Sequence, residues 1–187
     1  MLEKLPAAIG RSLRRVRPGL ERTVSHRAGI ISSPPSILVE SAAFFDGEPI
    51  PTRYTADGEG VSPPLHWIGV PPAARSMAII VEDADSPTPS PLVHAIVGRM
   101  PALVDELGEG EIAMRDGGPV VGRNSYMRAA WLPPDPPPGH GAHRYVFQVF
   151  ALDHDPDLGP HPGRTALVKA LEGHTICHGM LIGTYSR

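Results

Sequence analysis

Apolar positions along this chain follow two rhythms. Within residues 1–20, Leu2, Leu5, Ile9, Leu13, Val16 and Leu20 recur every three or four positions, the spacing of one helical face. Pro6 fits a first turn, and Pro18 ends the pattern. From residue 37 onward the apolar residues gather into short runs instead. Residues 37–41, 65–67, 76–81, 92–97, 144–152 and 180–185 each read as a strand, and residues 50–54 as a short extended segment. The run SMAIIV at 76–81 is apolar without alternation, so it predicts a central strand covered on both faces. Residues 144–152 form the strongest strand, with Val149, Phe150, Ala151 and Leu152 deeply buried. A second helical stretch spans 165–174, where Leu167, Ala170, Leu171 and His174 share a face and Gly173 lies near the end.

Between these elements, residues 21–35 lack periodicity and read as a linker. Residues 108–138 form a long stretch rich in glycine and proline, and such loops in compact domains often carry function. The fold class is therefore mainly β, a sandwich with a short C-terminal helix and an N-terminal amphipathic helix. The organisation predicted is a basic helix and linker at 1–35, followed by a β domain at 36–187.

Composition refines this picture. The 23 prolines and 20 glycines are scattered between apolar runs, which suits a loop-rich β protein better than a helical bundle. Net charge is −3, but residues 1–30 hold seven of the 17 Lys and Arg and only two acids. The acidic remainder argues against nucleic-acid binding. The single Cys177 excludes an intrachain disulfide and favours a reducing, cytoplasmic setting. No apolar run is long enough to span a bilayer, and no secretory signal is read at the N-terminus.

Candidate chemistry sits at strand ends. Asp83 and Asp85 follow the 76–81 run, and i and i+2 in extended chain point to one side. Together they either cap a loop or face a pocket. His94 lies inside the 92–97 strand, where alternation puts it on a face with Leu92 and Ile96; it is either a hydrogen-bonded core histidine or a ring paired with a carboxylate. His143 follows GHGA and a proline run at 133–138 broken by Asp135, which is either a rigid linker or a stiff pocket wall. His174 and His178 stand four apart around Cys177, a zinc-like spacing only if the segment is helical, which Gly173 and Gly179 discourage. No metal site and no cofactor is assigned. Ser62 lacks the second glycine of a nucleophile elbow, since Pro64 stands there, and no catalytic residue is assigned.

Several segments resemble, in order, the bacterial branch of the phosphatidylethanolamine-binding protein family, also called Raf-kinase-inhibitor-like. They are DGEGVSPPLHW (57–67), DADSP (83–87), LVHAIV (92–97), GRNSY (122–126), PDPPPGHGAHRYVFQVFALD (134–153) and ALEGHTICHGMLIGTYSR (170–187). The resemblance implies a β-sandwich with a small anion-accepting pocket. It implies ligand-binding roles for Asp83, Asp85, Pro87, His94, Pro136, Pro137, His143 and Tyr145, with Arg144 completing the H-R-Y triplet. Asp135 stands where the family pattern has a cysteine, and Leu132 and Pro133 replace glycines. The added carboxylate is expected to repel phosphate and to narrow the pocket.

The preferred reading is a binding or regulatory protein, not an enzyme, that takes a phosphate ester of the phosphorylethanolamine kind and inhibits or docks a protein partner. Two alternatives stand beside it. One is a metal-dependent hydrolase using Asp83, Asp85, His94 and His143. The other is a lipid-binding protein whose residues 1–20 rest on a membrane surface. For that helix, docking on a protein surface, the chain's own acidic domain or a second copy in a homodimer, is the favoured expectation over lipid.

Overall fold

The computed structural model describes residues 6–27, 30, 36–114 and 118–187. Two antiparallel sheets pack face to face. The smaller has the order β1 (Leu38–Glu40), β2 (Leu65–Ile68), β5 (Glu106–Leu107). The larger has the order β6 (Val120–Val121), β4 (Leu92–Pro101), β3 (Ser76–Asp83), β7 (His143–Leu152), β8 (Thr175–Tyr185). Val39, Leu65 and Trp67 of the small sheet meet Ile79, Val81, Phe147 and Val149 of the large one in the main core.

The opposite face of the large sheet is covered too. Ala78, Ile80, Phe150 and Leu152 pack beneath Leu167, Val168 and Leu171 of helix α2 (Arg164–Leu171). This double cover is why β3 and β7 read as continuous apolar runs: every residue of β3 is buried.

Several sequence expectations are corrected by tertiary context. Residues 52–54 form a 3-10 turn rather than an extended segment. Helix α2 stops at Leu171, so His174 does not share its face. The strand expected at 180–185 begins at Thr175, which puts Cys177 in the sandwich core while His178 stacks on Phe150 of the opposite face. His174 and His178 therefore form no helical pair.

Residues 21–27, read as linker, are instead part of the body. Two 3-10 turns, Leu20–Arg22 and Val24–His26, lie on the outer face of the large sheet. Val24 and Ile30 join its apolar layer. Glu82, fully buried, accepts hydrogen bonds from the Val24 amide, Gln148 Nε2 and Arg164 Nε. An irregular segment that contributes isolated anchors shows no period, so pattern reading missed it.

Helix α1 (Ala7–Leu13) is shorter than the apolar stripe suggested, and Leu2 and Leu5 of that stripe lie outside the described residues. It lies on the loop before β7. A Cβ at Gly10 would come 2.1 Å from the Pro138 carbonyl oxygen, so only glycine permits this approach. Among the described residues, no helix is long and apolar enough to cross a membrane.

Candidate ligand-binding site

Three strand ends converge on one cavity of about 350 Å³. The end of β3 brings Asp83, β4 brings His94, and the start of β7 brings His143. Leu92, Pro87, Leu132 and Pro133 make its walls largely apolar, with Pro136 and Pro137 opposite and Tyr126 at the rim.

A β-bulge aims His94. Val81 pairs with Ala95 and Glu82 with Val93, which leaves His94 without a partner on β3. Strict alternation would place His94 with Ile96, yet Ile96 lies in the outer layer while His94 packs against Trp131 and Tyr145 of the main core. The extra residue has turned the ring to the other face. His94 Nδ1 donates to the Leu132 carbonyl at 2.6 Å, which leaves Nε2 as the acceptor of a neutral ring. Nε2 is buried and has no hydrogen-bond partner among the described residues. Burial drives the His94 pKa down, only partly opposed by Asp83, so the ring is held neutral.

A third histidine, His140, which was not among the expected site residues, joins His143. His143 Nδ1 bonds Asp83 Oδ2 at 2.8 Å, its Nε2 meets His140 Nδ1 at 2.7 Å, and His140 Nε2 reaches the Leu13 carbonyl of α1 at 2.8 Å. The Leu13 carbonyl only accepts, so His140 Nε2 donates to it. Burial, joined by the neighbouring His143, lowers the His140 pKa and disfavours a charge on that ring.

Six of the eight expected residues line the cavity: Asp83, Pro87, His94, Pro136, Pro137 and His143. The other two do not. Tyr145 lies behind the wall, fully buried, and its hydroxyl has no hydrogen-bond partner among the described residues. Asp85 is turned away into an ion pair. Its Oδ2 accepts from Arg144 Nε at 2.7 Å and from the Arg144 amide at 2.9 Å, while Oδ1 accepts from Arg144 Nη2 at 2.7 Å and lies 3.2 Å from Arg17 Nη1. Burial alone would raise its pKa, but Arg144 and Arg17 hold it below the usual carboxylate range. The shared side expected for Asp83 and Asp85 fails because β3 ends at Asp83 and the chain turns there. The Asp85 amide donates back to Asp83 Oδ1 at 2.8 Å, the loop cap that the sequence left as the alternative.

Asp135 lines the cavity as expected, but its charge is not free. It is ion-paired with Arg187, which also holds Asp57 through Nε at 2.6 Å and Nη2 at 2.7 Å. This pair joins positions 52 residues apart, beyond the reach of local pattern.

Helix α1 closes one side. Leu13 is part of the wall. Arg14 Nε donates to the Gly139 carbonyl at 2.9 Å, and Arg17 donates to the carbonyls of Ala142 and His140, both at 2.8 Å. Of the docking surfaces open to the N-terminal segment, its described part lies on the chain's own domain.

The hydrolase alternative finds no support in this geometry. Asp85 is committed to arginines, and Ser86 bonds Thr88 at 2.7 Å rather than a histidine. Among the described residues, the carboxylates and histidines here do not converge on a common ion position.

Comparison with known proteins agrees with this architecture. The family model for phosphatidylethanolamine-binding protein matches residues 40–186. A UPF0098 protein of Methanothermobacter thermautotrophicus is 38% identical over 151 residues, covering 80% of this chain and 98% of that one. A UPF0098 protein of Pyrococcus horikoshii is 38% identical over 154 residues, covering 80% and 77%. Among solved structures, a putative phosphatidylethanolamine-binding protein homologue from Chlamydia trachomatis superposes with a TM-score of 0.75 at 35% identity, covering 82% of this chain and 99% of that one. E. coli YbcL, described as a member of the mammalian family, gives 0.75 at 29% identity, covering 81% and 99%. The segment that closes the cavity, α1, precedes the matched residues. The chain belongs to the phosphatidylethanolamine-binding protein family.

Proposed function

We propose that the cavity binds a small phosphate ester or similar anion of the phosphorylethanolamine kind, and that the protein acts by binding rather than by turnover. The observation that carries this reading is His94 Nε2, a buried polar atom without a hydrogen-bond partner among the described residues, in a largely apolar cavity. The other polar groups are committed: Asp83 to His143 and the Asp85 amide, and Asp135 to Arg187. An anion entering here converts His94 from an acceptor to a donor by drawing a proton onto Nε2. The apolar walls suit a carbon portion of the ligand. A cytoplasmic location fits the free, buried Cys177. Exposed Tyr126 at the rim and its neighbour Met127 offer apolar surface for a protein partner whose activity the protein regulates.

Because the free protein holds His94 neutral and the bound anion favours its charged form, binding takes up a proton. Affinity for phosphate or phosphorylethanolamine, followed by NMR titration, should fall as pH rises from about 5 to 8. His94→Gln should weaken binding at low pH by about tenfold, the value of one charge-assisted hydrogen bond, and flatten the pH profile. Equal affinity in wild type and variant across that range would remove His94, and with it this reading.

A further inference from the structure

Far from the cavity, at the other end of β7, a second group of titratable side chains gathers. Asp153 and His154 follow the last residue of β7, and His174 precedes the first residue of β8. His174 Nδ1 lies 2.9 Å from Asp153 Oδ1, and His154 Nδ1 lies 3.4 Å from the same oxygen. The two imidazoles face each other with centroids 4.0 Å apart. One ligand atom from each residue falls within 4.8 Å of the others, and no other such group of three occurs among the described residues.

We propose that Asp153, His154 and His174 form a surface site for one divalent ion of the zinc–copper class. Three observations carry this. The first is spacing. Zinc binds nitrogen and oxygen ligands at about 2.0–2.1 Å. Two ligand atoms at tetrahedral positions are then about 3.3 Å apart, by the geometry of those bond lengths. The observed contacts of 2.9 and 3.4 Å already bracket that separation.

The second is an uncommitted nitrogen. Among the described residues, His154 Nδ1 is buried from water and has no hydrogen bond of good geometry, although it stands beside the carboxylate. A buried imidazole nitrogen without a partner calls for a ligand.

The third is a rigid frame. Leu152 pairs with Thr175, the Asp153 amide donates to the His174 carbonyl at 3.2 Å, and Ser76 Oγ donates to the His154 carbonyl at 2.6 Å. The ligands therefore sit on backbone fixed by two strand ends, not on free loops. Two imidazoles and one carboxylate select borderline ions such as Zn²⁺, Ni²⁺ or Cu²⁺ over Ca²⁺ or Mg²⁺, which prefer all-oxygen sites. Asp153 and His174 remain half exposed, which leaves room for water or a further ligand on the ion. A bound ion would tie the end of β7 to the turn between α2 and β8.

The test uses the full-length chain without a histidine tag. Calorimetric titration with Zn²⁺ should show one equivalent per chain, and Zn²⁺ should raise the melting temperature because it binds only the assembled site. His154→Ala, His174→Ala and Asp153→Asn should each weaken binding by tenfold or more, while His66→Ala, distant on β2, should leave it unchanged. With Cu²⁺, the electron paramagnetic resonance spectrum should carry hyperfine splitting from two nitrogens, reduced to one in either alanine variant. Far-ultraviolet circular dichroism checks that each variant is folded. Absence of stoichiometric Zn²⁺ binding in the folded wild type, or equal binding in the three variants, overturns the proposal. Failure of the phosphate titration at the cavity leaves it untouched.

Discussion

The two ends of β7 use the same chemistry to opposite effect. At the His143 end, two histidines and two carboxylates lie under the sheet edge, buried almost completely. Every carboxylate oxygen there has a stated partner: the Asp85 amide, His143, Arg144 or Arg17. At the Asp153 end, Asp153 and His174 stand half in water, and the hydrogen bond from His174, with a smaller contribution from His154, pulls the Asp153 pKa down. Burial forces each polar group to find a partner in the fold. Exposure leaves the groups available to something outside it. The first end is thus an organised pocket whose lining, among the described residues, holds one unpartnered polar atom, His94 Nε2, while the second is an open cluster.

The largest expected effect tests how far the body of the protein reaches toward the pocket end. Deleting residues 1–30 removes Val24 and Ile30 from the outer layer, roughly 1.5–3 kcal/mol for each buried side chain. It also strips the Val24 amide from Glu82. Chemical denaturation should show a severely destabilised or unfolded protein. Deleting only residues 1–18 should leave a folded domain, because the 3-10 turns remain. It should also remove the Leu13 wall and strengthen binding of phosphorylethanolamine several-fold. If the shorter deletion fails to fold, α1 is part of the core rather than a cover.

A smaller effect contrasts the two ends directly. Arg144→Ala leaves the buried Asp85 carboxylate short of its principal cation. Breaking a buried pair in this way costs about 3 kcal/mol, the lower end of the range because Arg144 is 40% exposed and Arg17 stays. Asp153→Asn, at the open end, should leave the melting temperature of the metal-free protein unchanged within error. Equal losses at both ends would mean that exposure does not separate them.

These contrasts also mark what the sequence made legible. The sandwich and its main strands followed from runs such as SMAIIV, and Asp83, His94 and His143 stood out as residues at strand ends. Periodicity could not show the bulge that turns His94, because a bulge is a mismatch between two strands and not a property of one. Nor could it show that Asp85 answers to Arg144, since ion pairs follow from side-chain directions fixed only in the assembled fold. The role of His140 was visible in outline, three residues before His143, but its link to Leu13 spans 127 positions. The same limit hid the anchors at Val24 and Ile30.

The smallest expected effect concerns Asp135. From the sequence alone its carboxylate should repel a bound phosphate, and Asp135→Asn should tighten binding markedly. The structure pairs it with Arg187, whose guanidinium also serves Asp57 and whose pKa is raised first by that hydrogen bond and then by the one to Asp135. A phosphate in the cavity would then meet the carboxylate together with a counter-charge, although Arg187 is shared with Asp57 and the cluster keeps a net charge of −1. Asp135→Asn leaves a neutral Asp57–Arg187 pair. The gain in phosphate affinity should stay below about tenfold, or ~1.4 kcal/mol. NMR titration of the variant beside wild type measures it. A gain of tenfold or more would mean that Arg187 does not offset Asp135 in solution. The pocket end would then resemble the open end in leaving a charge uncommitted.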